Sequence, residues 1–241
     1  MTSGRLIRQA IRWFIALAVP FLLVMGCLRL LLSYEFLRFE YTRPGFPADS
    51  YGFTTADRLE YGMYAISFLF SAEGVDTLAS IMRPPDDMCR GSSPCPLFNA
   101  RELGHLVDVK DILRAGFSFF FLCLFVAILG ALSALYRHFV SHSCVDVLRE
   151  VRLGLTQGAV LTLMIILALG VFGAAAWDRA FDIFHELFFP VGSWRFPFSD
   201  SLIRLYPEQL FVDAALAIGI FTSSCALLIL VLLRLWERYC P

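Results

Sequence analysis

The sequence is poor in lysine and in charge of either sign. Lys110 is its only lysine, and 20 basic residues against 21 acidic ones leave a net charge of −1. Because a nucleic-acid-binding protein needs a basic surface to displace counterions, no nucleic-acid partner is expected. Charged residues make up 17% of the 241 residues and hydrophobic residues 58%, so polar groups are too few to cover a soluble fold. The composition therefore favours a membrane protein.

The motifs of three common enzyme classes are also absent. The chain contains no GxSxG, no GxxxxGKS or GxxxxGKT, and no HExxH. These absences argue against a common serine hydrolase, a P-loop NTPase and a zincin. We expect neither a cofactor nor a metal site.

Four apolar runs are long enough to cross a membrane. At about 1.5 Å per residue, about 20 residues span a hydrocarbon core about 30 Å thick. The runs predict a membrane all-α core of four transmembrane helices with a small extracytoplasmic cap of mixed or irregular structure. The predicted segments are helix 1 at 13–33, the cap at 34–111, helix 2 at 112–136, a cytoplasmic loop at 137–151, helix 3 at 152–177, an extracytoplasmic aromatic-rich loop at 178–208 and helix 4 at 209–235.

Arginines near the predicted helix ends indicate the orientation. Three arginines precede helix 1 (Arg5, Arg8 and Arg12), three bound the loop between helices 2 and 3 (Arg137, Arg149 and Arg152), and two lie at the end of helix 4 (Arg234 and Arg238). By the positive-inside rule these flanks are cytoplasmic. We therefore expect both termini in the cytoplasm and both the cap and the aromatic-rich loop outside.

The first apolar run also imitates a secretory signal. Residues 24–27, Val-Met-Gly-Cys, resemble a lipoprotein processing box. Met25 fits that box poorly, and the apolar sequence continues through Leu32, so we interpret the run as an uncleaved anchor. Cleavage after residue 26 is the alternative.

Two cysteines frame a short turn-forming segment in the predicted cap. Gly91 and Pro94, which favour a chain reversal, lie between Cys89 and Cys95. In an oxidising exterior this pair is a disulfide candidate. Two free thiols are the alternative, and a metal site is disfavoured because no second pair of ligands is near.

His105 is the first of two histidines that are candidates for chemistry. Asn99 followed by Glu102 is a capping-box pattern, which predicts a helix that begins near residue 99 and continues into helix 2. On such a helix Glu102 and Asp108 lie within roughly 60° of the His105 direction. A neighbouring carboxylate can hold an imidazole in one tautomer and make it more basic.

His185 is the second candidate and follows predicted helix 3. Asp182, three residues earlier, is placed to orient it if the segment is helical. Both histidines fall at the predicted outer membrane boundary, where two imidazoles can act as base and acid. Aromatic residues crowd this segment: Trp177, Phe181, Phe184, Phe188, Phe189, Trp194, Phe196, Phe198, Tyr206 and Phe211. They form either an aromatic belt at headgroup depth or a cleft for an apolar chain attached to a polar head.

In these two histidine segments the sequence resembles a family of bacterial integral membrane proteins that includes the lipoprotein intramolecular transacylase, Lit. The resemblance rests on residues 99–110, Asn-Ala-Arg-Glu-Leu-Gly-His-Leu-Val-Asp-Val-Lys, and on residues 184–189, Phe-His-Glu-Leu-Phe-Phe. It continues with Trp194 and with residues 200–208, Asp-Ser-Leu-Ile-Arg-Leu-Tyr-Pro-Glu. The layout of four spans under an outer cap agrees with it.

The resemblance implies an acyltransferase of the bacterial cytoplasmic membrane, with membrane lipids around it and a diacylated lipoprotein as substrate. The sn-2 acyl chain of the diacylglyceryl cysteine would move to the amine of that same cysteine. Because the substrate supplies the nucleophile, and because conversion of an ester into an amide is downhill, neither an activated serine nor a nucleotide is needed. No cofactor is therefore implied.

The resemblance also assigns roles to residues. His105 and His185 correspond to two catalytic histidines. We predict His185 as base and His105, supported by Glu102 and Asp108, as the electrophilic or acid partner, with the reverse assignment left open. Further supporting or substrate-binding residues are Asp182, Phe188, Phe189 and Trp194.

Two other functions stay open from the sequence. A lipid hydrolase, or an acyltransferase with a different acceptor, would use the same aromatic cleft. A non-catalytic structural or regulatory membrane protein would bind a partner through the cap, and its histidines would merely lie at the membrane interface.

Overall fold

The computed structural model describes residues 2–83, 95–141 and 145–239. In these ranges the regular structure is helical, apart from one isolated bridge. The helices are α1 (Thr2–Leu31), α2 (Tyr34–Thr42), α3 (Thr55–Phe70), α4 (Asp76–Ala79), α5 (Ala100–Ser141), α6 (Val145–Ala175), α7 (Trp177–Phe188), α8 (Ser201–Leu205) and α9 (Glu208–Tyr239).

Four helices in the described part of the chain are long and apolar enough to cross a membrane. The segments that meet this requirement are Leu6–Leu31 in α1, Ala100–Ser133 in α5, Val147–Ala175 in α6 and Glu208–Arg238 in α9. They confirm the predicted fold class. Helix α5 begins within the segment predicted as cap, and α6 begins within the segment predicted as cytoplasmic loop, so both helices extend beyond their apolar runs.

The chain divides into two compact units. The first, here called the membrane unit, consists of Met1–Leu28, Gly116–Ala175 and Ala217–Pro241. The second, the cap unit, consists of Arg29–Ala115 and Ala176–Leu216. The cap unit contains both candidate histidines together with α2, α3, α4, α7 and α8. The described part of the predicted cap, which was expected to be mixed or irregular, is largely helical because it contains α2, α3, α4 and the start of α5.

Two glycines of α6 allow a close approach to α1 within the membrane unit. A Cβ atom added to Gly154 would lie 2.8 Å from the carbonyl oxygen of Arg12, and one added to Gly158 would lie 2.7 Å from Cβ of Val19. Side chains do not tolerate such distances, so both positions need glycine. Small residues four apart are typical of closely packed membrane helices.

An apolar core joins α3, α4, α8 and the start of α5 in the cap unit. Leu106, the neighbour of His105, belongs to this core and therefore fixes the rotation of α5 at the histidine. Core residues come from α3, α4, α5, α8 and the segments before them: Phe53, Tyr61, Ala65, Phe68, Leu78, Leu97, Phe98, Leu106, Leu202 and Leu205.

A buried ion pair joins α8 to the segment between α2 and α3. Nη2 of Arg204 lies 3.0 Å from Oδ2 of Asp49, and both side chains are almost completely buried. The same Asp49 oxygen accepts a hydrogen bond from the Phe53 backbone N–H at 2.7 Å, and the Arg204 guanidinium covers the Phe53 ring at 3.5 Å. These contacts hold α8 in place, which matters because α8 packs beside the start of α5.

An isolated antiparallel bridge between Met82 and Pro96 closes the segment that contains the predicted cysteine pair. Cys95 is buried and disulfide-bonded. Cys89, its predicted partner, lies outside the described residues.

Candidate active site

His105 lies in the second turn of α5, whose start is fixed by a capping box. The Asn99 side-chain oxygen accepts hydrogen bonds from the backbone N–H groups of Arg101 (3.0 Å) and Glu102 (3.1 Å). The Glu102 carboxylate in turn accepts a hydrogen bond from the Asn99 backbone N–H at 2.7 Å. The predicted capping box and the helix that follows it are thus confirmed.

Glu102 connects α5 with α8. Its second carboxylate oxygen accepts a hydrogen bond from the Leu202 backbone N–H at 2.6 Å, and the side chain is fully buried. Both oxygens are therefore engaged with backbone N–H groups, and Glu102 supports His105 by holding α8 against the start of α5. Asp108, the other predicted support, is half-buried on α5.

His185 is oriented by the backbone of its own helix. Its Nδ1 lies 2.8 Å from the carbonyl oxygen of Phe181, one turn earlier in α7. A carbonyl oxygen only accepts, so Nδ1 carries the hydrogen and Nε2 keeps its lone pair. The sequence predicted that Asp182 would orient this histidine, but the Asp182 carboxylate accepts a hydrogen bond from Nη2 of Arg195 at 2.8 Å. Asp182 acts on His185 through its charge.

The two histidines come from distant segments of the chain and meet in the cap unit. Their ring centroids are 6.4 Å apart, and the ring planes differ by 28°. His105 is 9% exposed and His185 is 8% exposed. Two buried imidazoles at this separation can act on neighbouring atoms of one bound group.

Aromatic rings enclose the histidine pair. The Phe189 ring lies 4.8 Å from that of His105 and 5.6 Å from that of His185, so it contacts both. Trp194 packs on His185 at 4.7 Å with an interplanar angle of 31°. Phe196 packs on His105 at 5.5 Å. The surroundings of both imidazoles are therefore apolar on several sides.

Phe188, also predicted to support the site, lies on the outer face of α7. Its side chain is exposed and packs against Phe184 at 5.1 Å. With the exposed Ile183 and Leu187 these rings form an apolar face of α7 next to the buried face that carries His185.

The apolar surroundings determine the charge of His185. Burial lowers the pKa of its imidazole below the ordinary 6.5, because a charged ring loses its hydration. The hydrogen bond to the Phe181 carbonyl and the charge of Asp182 act in the opposite direction but are weaker. Burial therefore favours the neutral form of His185, in which Nε2 carries a lone pair.

Two buried nitrogens in the site have no hydrogen-bond partner among the described residues. They are Nδ1 of His105 and Nε1 of Trp194. Buried polar atoms are nearly always paired in folded proteins, so two unpaired nitrogens in one site are unusual.

Two ion pairs fasten the segment between α7 and α8 that carries the aromatic rings. Arg195 pairs with Asp182 on α7 at 2.8 Å, and Arg101 on α5 pairs with Asp200 at 3.0 Å. The Arg195 guanidinium also lies 4.8 Å from the centre of the Trp194 ring. Trp194 is therefore held between this cation on its outer side and the site.

No metal centre accompanies the histidines in the described part of the chain. Within those residues, no group of three or more His, Cys, Asp or Glu side chains is arranged to hold a metal ion.

Sequence reasoning missed two contacts of the histidine pair. The Phe181 carbonyl orients His185, and the sequence indicated this contact only through the spacing of four residues between them, which brings two residues together within a helix. Phe196 contacts His105 from an irregular segment, where no periodicity relates a residue to its contacts.

The chain matches a protein-family model over most of its length. The model is described as lipoprotein intramolecular transacylase Lit, and the match covers residues 13–211. This range includes both histidines and all described residues that enclose them. A relative from Aquifex aeolicus (strain VF5), described as an uncharacterized protein, is 26% identical over 223 residues, which are 92% of this chain and 93% of the relative.

The fold is similar to that of a solved membrane protein. The membrane integral lipoprotein intramolecular transacylase Lit from Bacillus cereus superimposes with a TM-score of 0.71 at 20% identity, over 96% of each chain. A second structure of that protein, with one histidine replaced by arginine, gives a TM-score of 0.68 at 20% identity over 98% of this chain and 94% of that one. At this identity the similarity is one of fold.

Proposed function

Because the chain belongs to the lipoprotein intramolecular transacylase Lit family and is thereby a membrane transacylase, we propose that it modifies lipoproteins at their N-terminal cysteine. In this proposal the sn-2 acyl chain of a diacylglyceryl cysteine moves to the amine of the same cysteine. The observation that carries it is the His185 imidazole, whose Nδ1 is bonded to the Phe181 carbonyl and whose free Nε2 belongs to a ring 6.4 Å from His105.

The substrate provides both reacting groups in one molecule. The amine nitrogen, Cα, Cβ, the sulfur, two glycerol carbons, the ester oxygen and the carbonyl carbon close a ring of about eight atoms. A ring of this size forms slowly in solution, because many torsions must be frozen at once. Burial of the substrate among aromatic rings favours the conformation in which its amine lies next to its ester carbonyl. Such positioning alone contributes up to about 10⁵ to 10⁸ M in effective concentration.

His185 moves the proton that the reaction requires. A terminal amine with a pKa of about 7.7 to 8.0 is mostly protonated at pH 7, so it needs a base before it can attack. The ammonium first loses one proton to water. The neutral amine nitrogen then forms a bond to the ester carbonyl carbon and gives a second proton to Nε2 of His185. When the bond between that carbon and the glycerol oxygen breaks, the same proton passes to the glycerol oxygen. One amide and one hydroxyl are formed, and no oxidant, reductant or nucleotide is consumed.

His105 acts as the electrophilic partner in this scheme. A buried imidazole favours its neutral form, and a neutral ring still donates a hydrogen bond through N–H. Such a donor stabilises the negative oxygen of the tetrahedral intermediate. The opposite assignment, with His105 as base, lacks a counterpart of the Phe181 carbonyl, because Nδ1 of His105 has no partner among the described residues.

The proposal also assigns the two histidines to the exterior side of the membrane. The arginine flanks of α1, α6 and α9 favour cytoplasmic termini, and the cap unit with both histidines then faces the exterior. A lipoprotein whose lipidated cysteine lies at the outer surface of the membrane would then have access to both histidines.

Substitution of each histidine tests the proposal. A synthetic diacylated lipopeptide is incubated with His185→Ala, His105→Ala and the control Leu187→Ala, an exposed position on α7. Fragment-ion mass spectrometry locates the acyl chains. We expect transfer to the amine from the wild type and the control, and a loss of at least about 10²-fold in each histidine variant. Normal transfer by either histidine variant, or release of free fatty acid by the wild type, would contradict the proposal.

A further inference from the structure

The indole N–H of Trp194 is a buried hydrogen-bond donor that nothing in the described protein accepts. Trp194 is 7% exposed, and its Nε1 has no partner among the described residues. An indole nitrogen only donates, so no alternative protonation state relieves the mismatch. Native proteins rarely retain such a donor, and where they do, a role in binding or catalysis is one of the few explanations.

The position of this donor is tightly determined. The Trp194 ring packs on His185 at 4.7 Å and meets the Phe181 ring edge-to-face at 6.0 Å. On another side the Arg195 guanidinium lies 4.8 Å from the ring centre, and Arg195 is itself paired with Asp182 at 2.8 Å. The ring cannot rotate to bring Nε1 to solvent without losing these contacts.

The proposed reaction can use a further hydrogen-bond donor to its oxyanion. The proposed scheme uses His185 for the proton and His105 for one hydrogen bond to the developing oxyanion. An oxyanion is usually held by two donors, since one hydrogen bond leaves most of its charge unsolvated in an apolar site. No second donor is assigned in the scheme.

We propose that the Trp194 indole N–H donates a hydrogen bond to the carbonyl oxygen of the sn-2 ester as that oxygen becomes negative. This inference rests on the proposed acyl transfer and adds a catalytic residue to it. The N–H of Trp194 is inaccessible to water in the free protein, and both imidazoles are nearly so. The carbonyl oxygen of a bound substrate would therefore meet a donor that carries no water molecule. No bond to Trp194 forms or breaks, and its hydrogen stays on Nε1.

The sharpest test removes the N–H and keeps the shape. Trp194 is replaced site-specifically by the amino acid in which a benzothiophene takes the place of indole, so that sulfur stands where N–H was. Trp194→Phe is a second variant, accessible by ordinary mutagenesis. The control places the same benzothiophene residue at Trp236, which is exposed on α9 in the membrane unit. Acyl transfer to the lipopeptide amine is followed as kcat and KM.

We expect the benzothiophene residue at position 194 to lower kcat by about 10²- to 10³-fold, as for loss of one oxyanion donor. The melting temperature in detergent, KM and the acid limb of the pH profile, which reports His185, should match the wild type. The same residue at position 236 should leave kcat unchanged. A residue that only packs against His185 would tolerate the isosteric ring, so wild-type kcat in the benzothiophene variant refutes the role of Trp194. Absence of amine acylation by the wild type refutes the proposed function instead.

Discussion

The His185 imidazole is fixed by the carbonyl oxygen of Phe181, which lies 2.8 Å from its Nδ1 in the preceding turn of α7. This contact leaves Nε2 as the basic nitrogen, although no carboxylate is hydrogen-bonded to Nδ1. It also sets the direction of the ring, because a carbonyl within a helix cannot move independently of that helix. A base of this design depends on burial for its pKa and on the backbone for its tautomer.

The acid limit of activity should reflect the lowered pKa of His185. Burial stabilises the neutral ring, so the base stays active at pH values where an exposed histidine is already protonated. We expect kcat/KM to fall on acidification in two steps, one near the pKa of about 7.7 to 8.0 of the substrate amine and a second, due to His185, whose midpoint lies below the ordinary 6.5. Because the charge of Asp182 raises the pKa of His185, Asp182→Asn should move this second midpoint to still lower pH.

The matched control for this profile is Asp178→Asn, since Asp178 is exposed in the first turn of the same helix. It should leave the midpoint in place. Absence of a second step below 6.5 in the wild type, or an upward shift of that step in Asp182→Asn, would show that His185 is not the titrating base.

Glu102→Gln should destabilise the cap unit. Each carboxylate oxygen of Glu102 accepts a backbone N–H, one from Asn99 and one from Leu202. A glutamine offers one acceptor and turns an NH₂ group towards the other donor, so one buried N–H is left unpaired. We expect a loss of about 1 to 3 kcal/mol in the free energy of unfolding, measured by denaturation in detergent. Glu186→Gln, at an exposed position of α7, should change it by less than about 0.5 kcal/mol.

Gly158→Ala should destabilise the membrane unit. The added methyl group would lie 2.7 Å from Cβ of Val19, so α1 and α6 must separate. Overpacking of this kind costs about 1 to 3 kcal/mol, which thermal unfolding in detergent can detect. Gly170→Ala on the same helix is the control, because nothing lies within 4 Å of the added atom there. Equal stability of the two variants would mean that α1 and α6 do not approach as closely as described.

Cysteine labelling tests the proposed orientation. Val191 is 94% exposed in the cap unit, and Arg238 is exposed at the end of α9. In a background without other reactive thiols, Val191→Cys should react with a membrane-impermeant maleimide in intact cells. Arg238→Cys should react only after the membrane is permeabilised. The reverse pattern would place the histidines in the cytoplasm and remove their access to the proposed substrate.

The features that follow from local chemistry could be predicted from the sequence. Uncharged runs identify the spans because a bilayer has a fixed thickness, and Asn99 with Glu102 identifies the start of α5 because a capping box is a contact between near neighbours. A similar signal at Thr54 and Asp57 marks the start of α3, where the two side chains form a complete capping box. This capping-box pattern would have predicted helix α3 in the cap, where mixed or irregular structure was expected instead.

Contacts between distant segments could be predicted only in part. The convergence of His105 and His185 followed from their positions relative to the spans, and the ring separation of 6.4 Å agrees with it. Helical angles placed Glu102 near His105, but such angles do not reveal a competing partner like the Leu202 N–H on another helix. The arrangement of Phe189, Trp194 and Phe196 lies in an irregular segment, where no periodicity relates sequence to contact.

A crossover experiment tests the central claim, internal acyl transfer, most directly. Two diacylated lipopeptides are mixed with the wild-type protein, one with an isotope-labelled peptide and a short sn-2 chain, the other with an unlabelled peptide and a long sn-2 chain. Fragment-ion mass spectrometry then identifies the chain on each amine. Each peptide should carry only its own sn-2 chain as an amide, with a free glycerol hydroxyl. Exchanged chains, an sn-1 chain on the amine, or free fatty acid in place of the amide would contradict the account.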